Sequence, residues 1–173
     1  MGPDDFESKA EAALQDLADR AIRESWPEND PRWTPGVKSV LGRIAKESRI
    51  DWYATSSEFA DDGEWLLDGV AWRKEADGGF RLLFTLESEW EDSLGWKANL
   101  PQGVMRDFLK LVVTRSDHRV MVLFARSADA ANDRINKLME RAKTFRGSQP
   151  GDRYLFACWR RSTKQFVFQL FVV

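Results

Sequence analysis

The feature that most constrains the fold of this chain is a pair of extended apolar runs joined by a short polar turn. The runs cover 64–74 and 80–90, and the sequence EADGG lies between them at 75–79. Asp77 and the two glycines supply the positive-φ positions that a tight hairpin turn needs. Neither run alternates cleanly between polar and apolar residues, which is typical of strands covered on both faces. The pattern predicts a β-hairpin at the centre of an α/β sandwich.

Helical and extended patterns follow one another along the rest of the chain. Helices are predicted over 5–25, from Pro35 to about Ser48, over 101–114 and over 127–145, and strands over 50–55, 119–125, 154–160 and 166–173, with a loop at 92–99. This order predicts an α/β fold, an α/β sandwich with a mixed central β-sheet flanked by helices. A length of 173 residues fits one domain over 1–173. Within it we distinguish an N-terminal helix (1–25), a core (36–125) and a helix with C-terminal strands (126–173).

Charge and composition limit the classes of function. The formal net charge is −2, whereas proteins whose main work is non-specific nucleic-acid binding carry a basic surplus. No run approaches the roughly 18 apolar residues of a membrane span, and the acidic start at Asp4, Asp5 and Glu7 is unlike a secretory signal. We therefore expect a cytoplasmic protein without a membrane partner. The oligomeric state and any protein partner stay open.

Several kinds of active site are excluded by residue counts. His118 is the only histidine and Cys158 the only cysteine, which rules out a histidine-rich metal site, a cysteine-based zinc cluster and an internal disulfide. Ser116, Asp117 and His118 are adjacent in a predicted turn, where they cannot take the geometry of a catalytic triad. No glycine-rich phosphate loop is present. Carboxylates remain as candidate functional groups.

Three of these carboxylates fall within or at the end of apolar strand patterns. Asp68 interrupts the first run of the hairpin, and Glu87 and Glu89 close the second. Charged groups in such positions are costly to bury unless they are paired or bind a metal. Strand periodicity puts Glu87 and Glu89 on one face, and hairpin pairing brings Asp68 across from them. Oxygen ligands at one sheet edge suit Mg²⁺ or Mn²⁺.

The motifs around these acids resemble a branch of the PD-(D/E)XK, or restriction-endonuclease-like, nuclease superfamily. They are LLDGVAW at 66–72, LESEWE at 86–91 and DFLKL at 107–111. In the usual pattern an acidic residue precedes a hairpin that ends in (D/E)-x-K. Here Glu89 stands in the lysine position, and Lys110 looks like the lysine that has moved to the following helix in some branches.

The resemblance implies a divalent-metal-dependent nuclease that acts on nucleic acid, with DNA favoured. Asp68 and Glu87 would hold Mg²⁺ or Mn²⁺, and Glu89 would be a further ligand or the partner that holds Lys110. Such a cation stabilises charge on the reacting phosphate and makes hydroxide available near neutral pH. Lys110 would orient or help to deprotonate the attacking water, or stabilise charge.

Two other interpretations stay open. The first is a catalytically inactive protein on the same fold that acts as a nucleic-acid or protein-binding module, which the near-neutral charge favours. The second is a protein that acts through protein contacts, in which the hairpin acids are structural. In either case Asp107 and Lys110, three residues apart, would form an ordinary pair on a helix surface.

Overall fold

The computed structural model describes residues 3–55, 57, 59, 66–90 and 102–173, and within these it has four helices and six strands. The helices are α1 (Pro3–Arg23), α2 (Trp33–Glu47), α3 (Gln102–Val113) and α4 (Ala128–Thr144). The strands are β1 (Asp51–Tyr53), β2 (Gly69–Lys74), β3 (Phe80–Glu89), β4 (Ser116–Ala125), β5 (Arg153–Arg160) and β6 (Gln165–Val172). The predicted loop at 92–99 and the start of the first apolar run at 64–65 lie outside the described residues.

The strands form one six-stranded mixed sheet in the order β1-β2-β3-β4-β5-β6. β1, β2 and β3 pair antiparallel, β3, β4 and β5 pair parallel, and β6 returns antiparallel to β5. The two parallel steps are crossovers that contain α3 and α4, as such connections require. The predicted α/β sandwich with a mixed central sheet is confirmed.

The helices cover both faces of the sheet and create two apolar cores. On one face, α1 and α2 pack against side chains such as Phe84 and Val122. On the other, α3 and α4 pack against side chains such as Met121 and Phe156. No helix in the described part of the chain combines the length and apolar character needed to span a membrane.

The central hairpin forms as its turn residues predict. Gly78 has a φ of 86°, in the region that favours glycine. The amide of Glu75 donates to the Gly79 carbonyl at 2.9 Å, and the Asp77 carboxylate accepts from the Gly79 amide. β2 and β3 then pair from Lys74 opposite Phe80 to Gly69 opposite Leu86. This register fixes which residues meet at the open end of the hairpin.

Two local predictions are wrong. Asp68 was placed in the middle of a strand, but β2 begins at Gly69 and Asp68 lies in the bend before it. Ser116 to His118 were placed in a turn, but β4 begins at Ser116, because its parallel partners continue to Leu82 on one side and Arg153 on the other. In both cases the neighbouring strand, which the local sequence does not reveal, determines where pairing starts.

Arg119 connects the end of α3 to the sheet. Its side chain is 1% exposed, and Nε donates to the carbonyls of Leu111 and Thr114 at 3.1 and 3.0 Å. Nη2 donates to the Thr114 carbonyl and contacts the Asp152 carboxylate at 3.2 Å, and the guanidinium lies over the Tyr154 ring. The last carbonyls of a helix lack partners within it. Arg119 supplies partners for them and holds α3 against β4.

Arg119→Met should destabilise the protein by about 3 kcal/mol, because it leaves buried carbonyls and the Asp152 carboxylate without their partner. Chemical denaturation followed by circular dichroism measures the change. The matched control is Arg81→Met, which breaks an exposed pair with Asp117 and should cost less than about 1 kcal/mol. Equal losses in the two variants would contradict the role given to Arg119.

Candidate active site

Asp68 lies at the open end of the hairpin, across from the end of β3. The pairing of Gly69 with Leu86 places Asp68 beside Glu87 and Ser88. The backbone amide of Ser88 donates to Asp68 Oδ2 at 2.8 Å, and Lys38 Nζ on α2 lies 3.4 Å from Oδ1. These contacts fix the carboxylate although Asp68 precedes the strand. The predicted approach of Asp68 to the Glu87 strand end is confirmed.

Glu87 is buried on the face of β3 that α3 covers. Only 1% of its surface is exposed, and its Cα partner on β4, Met121, belongs to the core beneath α3 and α4. Lys110 Nζ lies 2.7 Å from Glu87 Oε1. At this distance the Lys110 ammonium group and the buried carboxylate form a charge-assisted contact.

Lys110 reaches the strand end from α3 with its stem along the edge of the core. Besides Glu87, its Nζ contacts Asp107 Oδ1 at 3.1 Å and donates to the Leu66 carbonyl at 3.2 Å. About a third of the side chain is exposed (34%). Lys110 therefore connects the buried Glu87 carboxylate to solvent.

The charges in this cluster shift two pKa values. The pKa of Glu87 is raised to about 8, mainly by burial and also by the charges of Asp68 and Asp107, which together outweigh the lowering by Lys110. For Lys110, burial lowers the pKa, but the contacts with Glu87 and Asp107 outweigh burial and the pKa is raised. Lys110 is thus a cation at neutral pH, and Glu87 exchanges its proton close to neutrality.

Two residues of the cluster were not among the predicted site residues. Asp107, considered only as a surface partner of Lys110, is 7% exposed and holds the ammonium group. Lys38, which contacts Asp68, is 4% exposed. A signal for Lys38 was available, because it precedes the buried Leu41 by three positions and Ala45 by seven on α2. A lysine in the apolar stripe of a helix requires a partner.

Glu89 follows Glu87 on the same face of β3. It is half-buried, and its Cα pairs with that of Leu123 on β4. The contacts described above bring Asp68, Glu87 and Lys110 together. The charges that shift the pKa of Glu87 are those of Asp68, Lys110 and Asp107. The role of Glu89 as a metal ligand stays a prediction.

The donor set of this site fits Mg²⁺ or Mn²⁺ better than metals that need nitrogen or sulfur ligands. Its available groups are the carboxylates of Asp68 and Glu87 and nearby backbone carbonyls. Among the described residues, no three side chains of the metal-binding types gather in one place. Mg²⁺ is commonly held by one or two carboxylates with several waters. Asp68 and Glu87 are two such carboxylates, and the charge of a cation held by them would lower the pKa of Glu87, which burial raises.

The single histidine and the single cysteine lie away from this cluster. His118 Nδ1 is 2.8 Å from Glu7 Oε1, which also accepts from Arg153 Nε at 2.7 Å, and burial lowers the pKa of His118. This buried group joins α1 to β4 and β5. Cys158 is fully buried, and burial raises the pKa of its thiol to about 12, which makes it a poor nucleophile.

No family model, curated protein or solved structure matches this chain. Inference about its function therefore depends on the residues of the cluster and their geometry.

Glu87→Gln should stabilise the protein increasingly as pH rises from about 5 to about 8. In this window the folded wild type keeps a proton on Glu87 that the unfolded chain releases. The stability of the wild type therefore falls with rising pH, and the fall is absent in the variant. The difference should grow from near zero to on the order of 2–4 kcal/mol, since one pKa unit corresponds to about 1.4 kcal/mol.

Urea denaturation of both proteins at several pH values measures this difference. Glu75→Gln, on the exposed hairpin turn, is the control, and its difference from wild type should vary by less than about 0.5 kcal/mol. A constant difference between Glu87→Gln and wild type across this window would show that burial does not raise the pKa of Glu87.

Proposed function

We propose that this protein is a divalent-metal-dependent phosphodiesterase that cleaves nucleic acid, with DNA as the favoured substrate. The observation that carries the proposal is the ion pair of 2.7 Å between Lys110 and Glu87, formed beside the Asp68 carboxylate. Asp68, Glu87 and Lys110 come from a bend, a strand and a helix, and all three belong to the motifs that resemble the PD-(D/E)XK superfamily. A buried carboxylate needs a cationic partner in any protein, so the proposal depends on the second acid and on the match of all three residues to these motifs.

The acidic pair supplies the ligands, and Mg²⁺ or Mn²⁺ bound there would polarise the phosphate and lower the pKa of the attacking water. The Ser88 amide orients the Asp68 carboxylate through the bond to Oδ2. Lys38, at 3.4 Å from Oδ1, restrains the same group from the other face of the sheet. Glu89 would serve as a further ligand at the same strand end.

Lys110 acts as a cation in this scheme. Its raised pKa keeps it protonated at neutral pH, so it would stabilise negative charge on the phosphate and orient the attacking water; it would not abstract a proton. Asp107 and the Leu66 carbonyl hold Nζ in place at 3.1 and 3.2 Å. The exposed third of the side chain gives the ammonium group access to a substrate.

The second candidate is a catalytically inactive protein of the same fold that binds nucleic acid or a protein. The presence of two lysines favours it, since Lys38 and Lys110 already neutralise much of the charge of Asp68 and Glu87. The two candidates differ in whether a divalent cation competes successfully with these lysines. For either, a cytoplasmic location and a nucleic-acid partner are parts of the proposal.

Calorimetric titration with MnCl₂ and MgCl₂ tests the proposal. Wild type should bind one of these cations, and Asp68→Ala and Glu87→Ala should each weaken binding by more than about tenfold, because each removes a carboxylate ligand. The matched control is Asp5→Ala, which removes an exposed carboxylate paired with Lys9 on α1 and should bind as wild type does.

Circular dichroism spectra and melting curves establish that the variants are folded. Binding that persists in both Asp68→Ala and Glu87→Ala would place the cation elsewhere and contradict the assigned ligands. Wild type that binds neither cation, with or without an oligonucleotide present, would favour the inactive binding module.

A further inference from the structure

A groove between α3 and α4 includes one residue of the candidate active site. It has a volume of about 1060 Å³, and Lys110 is one of its lining residues. Lys110 Nζ also contacts Glu87. Lys110 therefore belongs both to the groove and to the cluster of acids at the strand end.

The floor of the groove is apolar and comes from one stripe of α3. Met105, Leu109 and Val113 follow one another at intervals of four residues, which places them on one side of the helix. Leu109 is 40% exposed and Val113 is 64% exposed. Large apolar side chains that line a concave surface mark a binding site more often than isolated exposed ones do.

The rim of the groove is cationic on both walls. Arg106 and Lys110 project from α3, and Lys137 and Arg141 from α4, against Glu140 as the one carboxylate among the described lining residues. Three of these cations also contact carboxylates, Arg106 and Lys110 at Asp107 and Lys137 at Asp133, and a bound phosphate would share them with these carboxylates. The two cations on each helix are spaced by four residues, a rise of about 6 Å along the helix. Such a surface favours an anionic, elongated ligand.

We infer that the α3–α4 groove binds a single nucleic-acid strand and leads it to Lys110. In a single strand the phosphates and the faces of the bases are all exposed, so the phosphates can contact the cationic rim while the bases contact the apolar floor. A duplex conceals its base faces by stacking and would leave the floor uncovered. This inference rests on the proposed function, and it specifies the form of the substrate that the site would cleave.

An acidic amphipathic helix of a partner protein would also match an apolar floor and a cationic rim. The position of Lys110 favours the nucleic-acid strand. The groove includes a cation that is paired with the Glu87 carboxylate near a second acid, Asp68, and a phosphodiester bound in the groove would lie near these groups. A protein helix would have no use for them.

Fluorescence anisotropy of a labelled oligothymidylate of about 12 nucleotides, measured in EDTA with the full chain, tests this inference. Lys137→Glu and Arg141→Glu should each weaken binding at least about tenfold, and the loss of one phosphate contact should reduce the slope of log K against log salt by about 0.7. Leu109→Asp should also weaken binding, because it places a negative charge on the apolar floor of the groove. The control is Arg43→Glu at an exposed position of α2, on the opposite face of the sheet. It makes the same change of charge, and this variant should bind as wild type does.

No binding of the oligonucleotide by wild type, or binding that the groove variants leave unchanged, would overturn the inference. So would tighter binding of a duplex of the same length, or a wild-type dimer in sedimentation that Leu109→Asp dissociates, since a second copy would then cover the floor. Lys137→Gln and Arg141→Gln replace any reversal variant that does not fold. Because binding is measured without metal, strand binding without Mn²⁺-dependent cleavage would refute the proposed function alone, and cleavage unaffected by the groove variants would refute this inference alone.

Discussion

Burial of the Glu87 carboxylate beneath α3 is the interaction on which the arrangement of this site depends. A carboxylate that is 1% exposed is costly unless a cation accompanies it. The parallel connection from β3 through α3 to β4 brings Lys110 over the strand end, where Nζ reaches Glu87 at 2.7 Å. Lys110 offsets only part of the cost of burying this charge, since the pKa of Glu87 is still raised to about 8, mainly by burial. An additional cation beside this carboxylate would lower its pKa.

The surrounding structure holds the groups of this cluster in position. Arg119 binds the carbonyls at the end of α3 and anchors the helix to β4 and, through Asp152, to the start of β5. On the other side of the hairpin, the Ser88 amide and Lys38 fix Asp68. The acids therefore stand on a framework tied to the sheet from both faces, which is the rigidity that a catalytic site requires.

Much of the fold and part of the site could be predicted from the sequence. The turn at Asp77-Gly78-Gly79 and the continuous apolar runs determine the hairpin, and the pattern of the chain predicts the α/β sandwich. An acidic partner for Lys110 was predicted, but the residue considered for it was Glu89. In the structure the partner is Glu87. The apolar stripe of α2 indicates that Lys38 needs a partner, but not that the partner is Asp68, because 30 residues separate them and only the packing of α2 against the sheet brings them together. The buried contact of His118 with Glu7 joins residues 111 positions apart and was equally invisible.

The central claim is that Asp68 and Glu87 make this chain a metal-dependent nuclease. The most direct measurement is cleavage of end-labelled single-stranded and duplex DNA by the full chain with Mn²⁺, beside Asp68→Asn and Glu87→Gln. The account predicts cleavage that requires the metal and falls by more than about 100-fold in each variant, as expected when a group that stabilises the transition state is removed. Absence of cleavage in wild type, or cleavage that both variants retain, would contradict it.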